Sequence, residues 1–250
     1  MAYTGINKST AHFNTKLWTG TGSNGNAISG VGFAPDLVWV KNRSGTYDHV
    51  LFDRVRGDNK HVESNNNSAE ENEAYTLAFG SDGYSVGTNT LNNSGSNIVG
   101  WNWKAGGGQG SSNTDGTINT TYTSANTTAG FSISKYTGTG ANATFGHGLG
   151  VKPDIVFWKR LDNSAGAVNW IVQSPLLGNQ TKLVLNTSDA SSTGSSFSQT
   201  DNWTNSLIDL KTYEGENSSG GTYIAYAFAS KTGYSKFGSY TGNGNADGTF

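Results

Sequence analysis

The sequence predicts an all-β protein made of two β domains in tandem. Three observations carry that expectation. First, a 24-residue motif occurs twice: Trp18–Lys41 reads WTGTGSNGNAISGVGFAPDLVWVK and Tyr136–Lys159 reads YTGTGANATFGHGLGVKPDIVFWK. The two align without a gap at an offset of 118, with eleven identical positions. A repeat of this length ranks above local signals, because it defines the unit from which the fold is built. Second, apolar residues fall in short runs with strand alternation, and no segment sustains a 3.6-residue period. Third, 35 glycines accompany only three prolines, many of them beside Ser, Thr and Asn, as in short strands joined by turns.

The repeat begins one strand ahead of this TGTG motif. Phe13–Trp18 (FNTKLW) aligns with Phe131–Tyr136 (FSISKY), and the second copy alternates as a half-buried strand does. TGTG then makes a polar turn. Gly30/Gly32 and Gly148/Gly150 permit positive φ or close backbone approach. Pro-Asp precedes a four-residue apolar run, LVWV or IVFW, which reads as a strand buried on both faces. Each TGTG motif is therefore read as a first hairpin plus a central strand, with Lys41 and Lys159 at the strand exit.

Further along repeat one, NRSGTYD is a turn and His49–Asp53 a strand. Arg56–Glu73 reads as one long polar loop, and its Arg-Gly-Asp as an ordinary turn. Ala74–Gly87 is a hairpin about Ser81-Asp82-Gly83. Ile98–Lys104 alternates, with Val99, Trp101 and Trp103 on one face. In repeat two, Val168–Val172, Thr181–Asn186, Ser206–Tyr213 and Thr222–Phe228 are strands, the last matching IVGWNW. Trp39, Trp101, Trp103, Trp158 and Trp170 are expected in the core.

The expected organisation is a first β domain over 1–110, a Gly/Ser/Thr/Asn-rich linker with a candidate edge strand over 111–130, and a second β domain over 131–239. Residues 240–250 open a third copy of the motif (YTGNG), and the native chain is expected to continue past residue 250.

Charged residues make up 14% of the chain and the net charge is −2. No basic stripe marks a nucleic-acid partner, and no apolar run reaches the ~18 residues that suggest membrane insertion. Cysteine is absent, and MAYTGINKST has neither the basic nor the apolar part of a secretory signal. The composition, rich in Gly, Ser, Thr, Asn and aromatics, nevertheless suits a protein used outside the cell. A chain made in a host cytoplasm and released by lysis satisfies both.

No constellation for catalysis, a metal or a cofactor is expected. His12, His49, His61 and His147 lack metal-ligand spacing, and His147 aligns with Ser29. Ser44, Asp48 and His49 lack a nucleophile elbow. Glu70, Glu71 and Glu73 would work on a sugar only if the fold paired them across it. Asp58-Asn59 lacks the EF-hand pattern, and TGTG lacks the Lys-Ser/Thr of a phosphate loop. Tyr47, Tyr122 and Trp203 stand in polar contexts and are the candidate glycan contacts; the competing reading is that each closes the core from a loop.

The TGTG motif, the GSDGYSVG hairpin and the GWNWKAGGGQG strand and linker resemble repeated domains of large virion proteins of tailed phages, especially those of marine bacteria and cyanobacteria. The resemblance covers nearly the whole chain. It implies lectin-like or jelly-roll-type sandwiches in a tail fibre or other appendage, with no catalytic motif. It also implies assembly with copies of itself, commonly as a trimer, and with other virion proteins, and contact with host surface glycans. A stand-alone carbohydrate-binding module or adhesin is the alternative; a glycan hydrolase is a third.

Overall fold

The structure is a computed structural model that describes residues 5–72, 76–164 and 166–245. The protein is all-β. Repeat one contains β1 (Phe13–Thr19), β2 (Asn26–Ser29), β3 (Leu37–Asn42), β4 (His49–Asp53), β5 (Lys60–Glu63), β6 (Glu71–Asn72), β7 (Leu77–Phe79), β8 (Gly83–Val86) and β9 (Asn97–Trp103). Then come β10 (Tyr122–Asn126), β11 (Phe131–Thr137), β12 (Ala143–Gly146), β13 (Ile155–Arg160), β14 (Ile171–Gln173), β15 (Thr181–Val184), β16 (Ser192–Thr193), β17 (Leu207–Leu210) and β18 (Thr222–Phe228).

The strand order repeats. The first large sheet runs β1-β9-β3-β4-β5-β6, and the second runs β10-β11-β18-β13-β14-β15-β16. Without β10 the two orders correspond strand for strand. Each large sheet is backed by a small one, β2-β8-β7 in repeat one and β12-β17 in repeat two. Two cores lie inside the units: Val38, Val40, Phe52, Tyr84 and Ile98 in the first, and Tyr136, Phe145, Trp158, Ile208 and Tyr223 in the second. A third core joins them. Leu37, Leu51 and Val62 of repeat one pack with Phe131, Ile133, Trp170, Ile224 and Tyr226 of repeat two. The large sheets therefore meet face to face, giving four layers. LVWV is therefore covered on both faces except at Trp39: Val38 and Val40 point to the small sheet and Leu37 to the other repeat, while Trp39 is half-buried.

Two elements differ from the sequence reading. The TGTG motif is not a hairpin: β1 lies in the large sheet and β2 in the small one, so TGTG arches across the sandwich and Pro-Asp brings the chain back. A buried asparagine in each repeat holds the arch. Asn92 Oδ1 accepts from Thr21 N at 2.9 Å, and Asn217 Oδ1 accepts from Thr139 N at 2.7 Å. A Cβ on Gly20 would lie 2.0 Å from Asn93 O and one on Gly138 2.4 Å from Ser218 O, so neither position admits a side chain. Second, the polar stretch Arg56–Glu73 contains β5, with β6 beginning at Glu71, and is not one loop. Lys-His-Val-Glu carries no strand-like apolar alternation, yet His61, Val62 and Glu63 are all buried, Val62 in the seam core and His61 on the opposite face against Phe52.

The Gly-rich junction is tied down at both ends. Asp36 Oδ2 accepts from Ala105 N at 2.7 Å and Gly107 N at 3.0 Å, and Gln109 Nε2 donates to Val55 O at 3.3 Å. Its Thr/Asn-rich half supplies β10, which pairs antiparallel with β11 from Tyr122↔Lys135 to Asn126↔Phe131.

Candidate functional site

The seam between the repeats contains both a polar lock and an open trough. The lock is buried. Arg56 Nε donates to Asp53 Oδ2 at 2.5 Å, and Arg56 Nη2 to Leu51 O at 2.9 Å. Across the seam the Tyr226 hydroxyl donates to the same Asp53 oxygen at 2.7 Å. Burial alone would lower the Arg56 pKa, but Asp53, Tyr226 and Glu70 outweigh it and hold the guanidinium charged. The Arg of the Arg-Gly-Asp tripeptide is therefore a structural tie, out of reach of any partner. Trp170 Nε1 donates to Glu63 O at 2.7 Å, and Lys159 Nζ donates to Val168 O at 2.6 Å and Asn67 O at 3.0 Å. Burial lowers the Lys159 pKa to about 8.

The trough lies where sheet two leaves part of sheet one uncovered. Trp39 on β3 and Trp101 on β9 are cross-strand partners, with ring centroids 6.2 Å apart at 67°. Trp103 follows two residues on, and Lys41 pairs with His49 one step along β3 and β4. These residues floor one groove, and Ser64, Asn65, Asn186, Thr187 and Ser188 edge the adjoining one. Beneath Trp39 the groove continues into an apolar cavity of about 350 Å³, bordered by Leu37, Phe157, Trp170 and Phe228 and flanked by Tyr234 and Phe237. Burial, then the neighbouring Lys41 ammonium, lowers the His49 pKa.

Three of the five tryptophans expected in the core are thus half-buried at this trough, while Trp158 and Trp170 are fully enclosed. The cause is the offset between the sheets. The positions in repeat two that match Trp39, Trp101 and Lys41 are Phe157, Tyr226 and Lys159, and Tyr226 and Lys159 are sealed under repeat one. Alternation in GWNWK placed the tryptophans on one face but could not say whether that face would be covered.

The three residues singled out as glycan contacts do not come together. Tyr47 is 38% exposed on the β3–β4 turn, where its hydroxyl accepts from Asn93 Nδ2 at 3.3 Å. Tyr122 is half-buried on β10 and packs against the seam core. Trp203 is corrected: it is buried, its ring 5.9 Å from that of Trp158 and its Nε1 donating to Ser198 Oγ at 2.8 Å. A polar local sequence, TDNWTN, surrounds a tryptophan that the fold turns inward, so it offers no face to a sugar.

The acidic run is divided. Glu70 lies 3.5 Å from Arg56 and 3.8 Å from Lys60, Glu71 lies 3.8 Å from His61, and Glu73 falls outside the described residues. Among the described residues, no three His, Asp or Glu side chains gather as metal ligands do. His147 is buried; its Nδ1 accepts from Leu149 N at 3.2 Å, leaving Nε2–H for Thr204 O at 3.3 Å.

Fold and site together define a class: an all-β protein whose two repeats share one strand order and frame an aromatic trough at their seam. The chain belongs to the family described as Domain of unknown function (DUF7483), whose model matches residues 8–250, both repeats and the junction included. No curated protein and no solved structure matches the chain.

Proposed function

We propose that this chain is a non-enzymatic structural protein of a phage virion, set in a tail fibre or another surface appendage, where it assembles with copies of itself and with other virion proteins and contacts host surface glycans. The observation that carries the reading is the use to which its interior polar groups are put. Arg56, Asp53, Tyr226, Glu63 and Lys159 bind one repeat to the other through the seam. A stack of like units locked in this way suits a load-bearing spacer. The phage setting itself comes from the sequence resemblance. The alternative, a stand-alone carbohydrate-binding module or adhesin, draws on the half-open tryptophans of the trough.

Immunogold electron microscopy of particles purified from the source culture tests the reading, using antibodies raised against the folded chain. Gold on an appendage or on the capsid surface is the expected result. Label found only in the particle-free supernatant overturns the virion assignment and favours the stand-alone module.

A further inference from the structure

We infer that the trough floored by Trp39 and Trp101 is a saccharide-binding site, a deepening that rests on the host-contact part of the function proposed above. A folded protein rarely leaves large aromatic rings at its surface in a group unless they meet a partner. Here three tryptophans share one groove at the boundary between two units, a common place for small-ligand sites. The trough is contiguous with the apolar cavity through Trp39 and Trp103, so it is a depression in the body and not a flat patch.

The lining selects the ligand class. Among the described residues its ionisable side chains are Lys41 and His49, both basic, and no carboxylate lines the grooves. A cationic ligand would gain from the ring faces but would meet the Lys41 ammonium. A phosphate polymer needs several cations along its path, and the Lys41 ammonium already donates to the Tyr47 carbonyl. A wholly apolar ligand would cover Ser64, Asn65, Asn186, Thr187 and Ser188 and strand their polar atoms.

A sugar ring fits all three conditions. It has a C–H face that can lie on an indole and a rim of hydroxyls that need neutral donors and acceptors. The two amides on the rim are held in fixed orientations. Asn65 Oδ1 accepts from His49 N and its Nδ2 donates to Asp48 Oδ1, both at 2.7 Å. Asn186 Oδ1 accepts from Trp170 N at 2.9 Å and its Nδ2 donates to Asn169 Oδ1 at 2.8 Å. Each amide keeps one N–H and one oxygen lone pair for a ligand. The 67° angle between Trp39 and Trp101 lets one ring lie beneath the sugar while the other meets its edge.

The test uses the whole chain, fluorescently labelled, on an array of bacterial O-antigen, capsular and exopolysaccharide glycans. Retention on a subset of spots is expected, with at least tenfold weaker binding by Trp101→Ala and by Trp39→Leu. Thermal melts establish that each variant is folded. Should either fail to fold, His49→Ala serves as the second variant, with a several-fold loss expected. The inference is overturned if no glycan retains the native chain, or if folded variants bind as the native chain does. It is also overturned if sedimentation shows a self-association that Trp101→Ala abolishes, since the trough would then be occupied by a second copy. Virion labelling is independent of these results, so an array failure does not touch the virion assignment.

Discussion

At the scale of single residues, the seam depends on one carboxylate. Asp53 receives both the Arg56 guanidinium and the Tyr226 hydroxyl, and all three are buried. Asp53→Asn removes the nearer of the two carboxylates that balance the buried Arg56, and a broken buried pair costs about 3–5 kcal/mol. Tyr226→Phe deletes the hydrogen bond to Asp53 and the longer one from Arg56 Nη2 at 3.4 Å and leaves the ion pair intact, which costs about 1–2 kcal/mol. Urea unfolding of the two variants is expected to rank them in that order. The titratable groups add a pH dependence. Burial lowers all four histidines, His61 and His147 to about 4. The unfolded chain therefore binds protons near pH 6.5 that the folded one refuses, and stability falls as the pH drops from about 6.5 toward 4. Glu216 opposes this: burial raises it to about 8, so the folded state keeps a proton that the unfolded state loses above about 4.5. Stability from this group declines as the pH rises through that window. The imidazoles outnumber it below 6.5 and are silent above, so a stability maximum is expected near pH 6.5. Thermal melts across pH 4–8 measure it, and a maximum at or below pH 5 would show that the buried carboxyl prevails.

Among the elements, the two copies of the first strand differ in their surroundings. β11 is paired on both sides, with β18 and with β10. β1 pairs with β9 alone among the described residues and leaves Leu17 64% exposed. An unpaired edge exposes its outward N–H groups to solvent. Hydrogen exchange followed by mass spectrometry is therefore expected to label the outward amides of Phe13–Thr19 markedly faster than those of Phe131–Thr137. Equal protection would mean that another segment or another copy covers the β1 edge. The TGTG arch is the second instructive element. TGTG and Pro-Asp are legible as punctuation, but Asn92 and Asn217, which hold the arch, stand at an offset of 125 and fall outside the gapless alignment. Only the fold brings each asparagine against its arch.

Across the molecule as a whole, the third core makes the two repeats one body. Leu37, Leu51 and Val62 would be bared if repeat one stood alone, as would Phe131, Ile133, Trp170 and Tyr226 in repeat two. Calorimetry of the intact chain is expected to show a single transition, with van't Hoff and calorimetric enthalpies equal. A chain cut to residues 1–110 is expected to be destabilised and prone to aggregate. Two separate transitions, or a fully stable half, would mean that the seam contributes little.

The all-β class, the existence of a repeated unit and the placement of most strands follow from the order of residues. They rest on local alternation, turn chemistry and a TGTG motif long enough to align with its own second copy. Which apolar faces stay covered is settled by packing between sheets. Trp203 in its polar surroundings turns inward, and Trp39 and Trp101 on strong strands stay half-open, because burial of a strand face depends on how far the opposite sheet reaches across it. That reach is set by contacts between residues more than a hundred positions apart, and no short-range pattern in the chain encodes it.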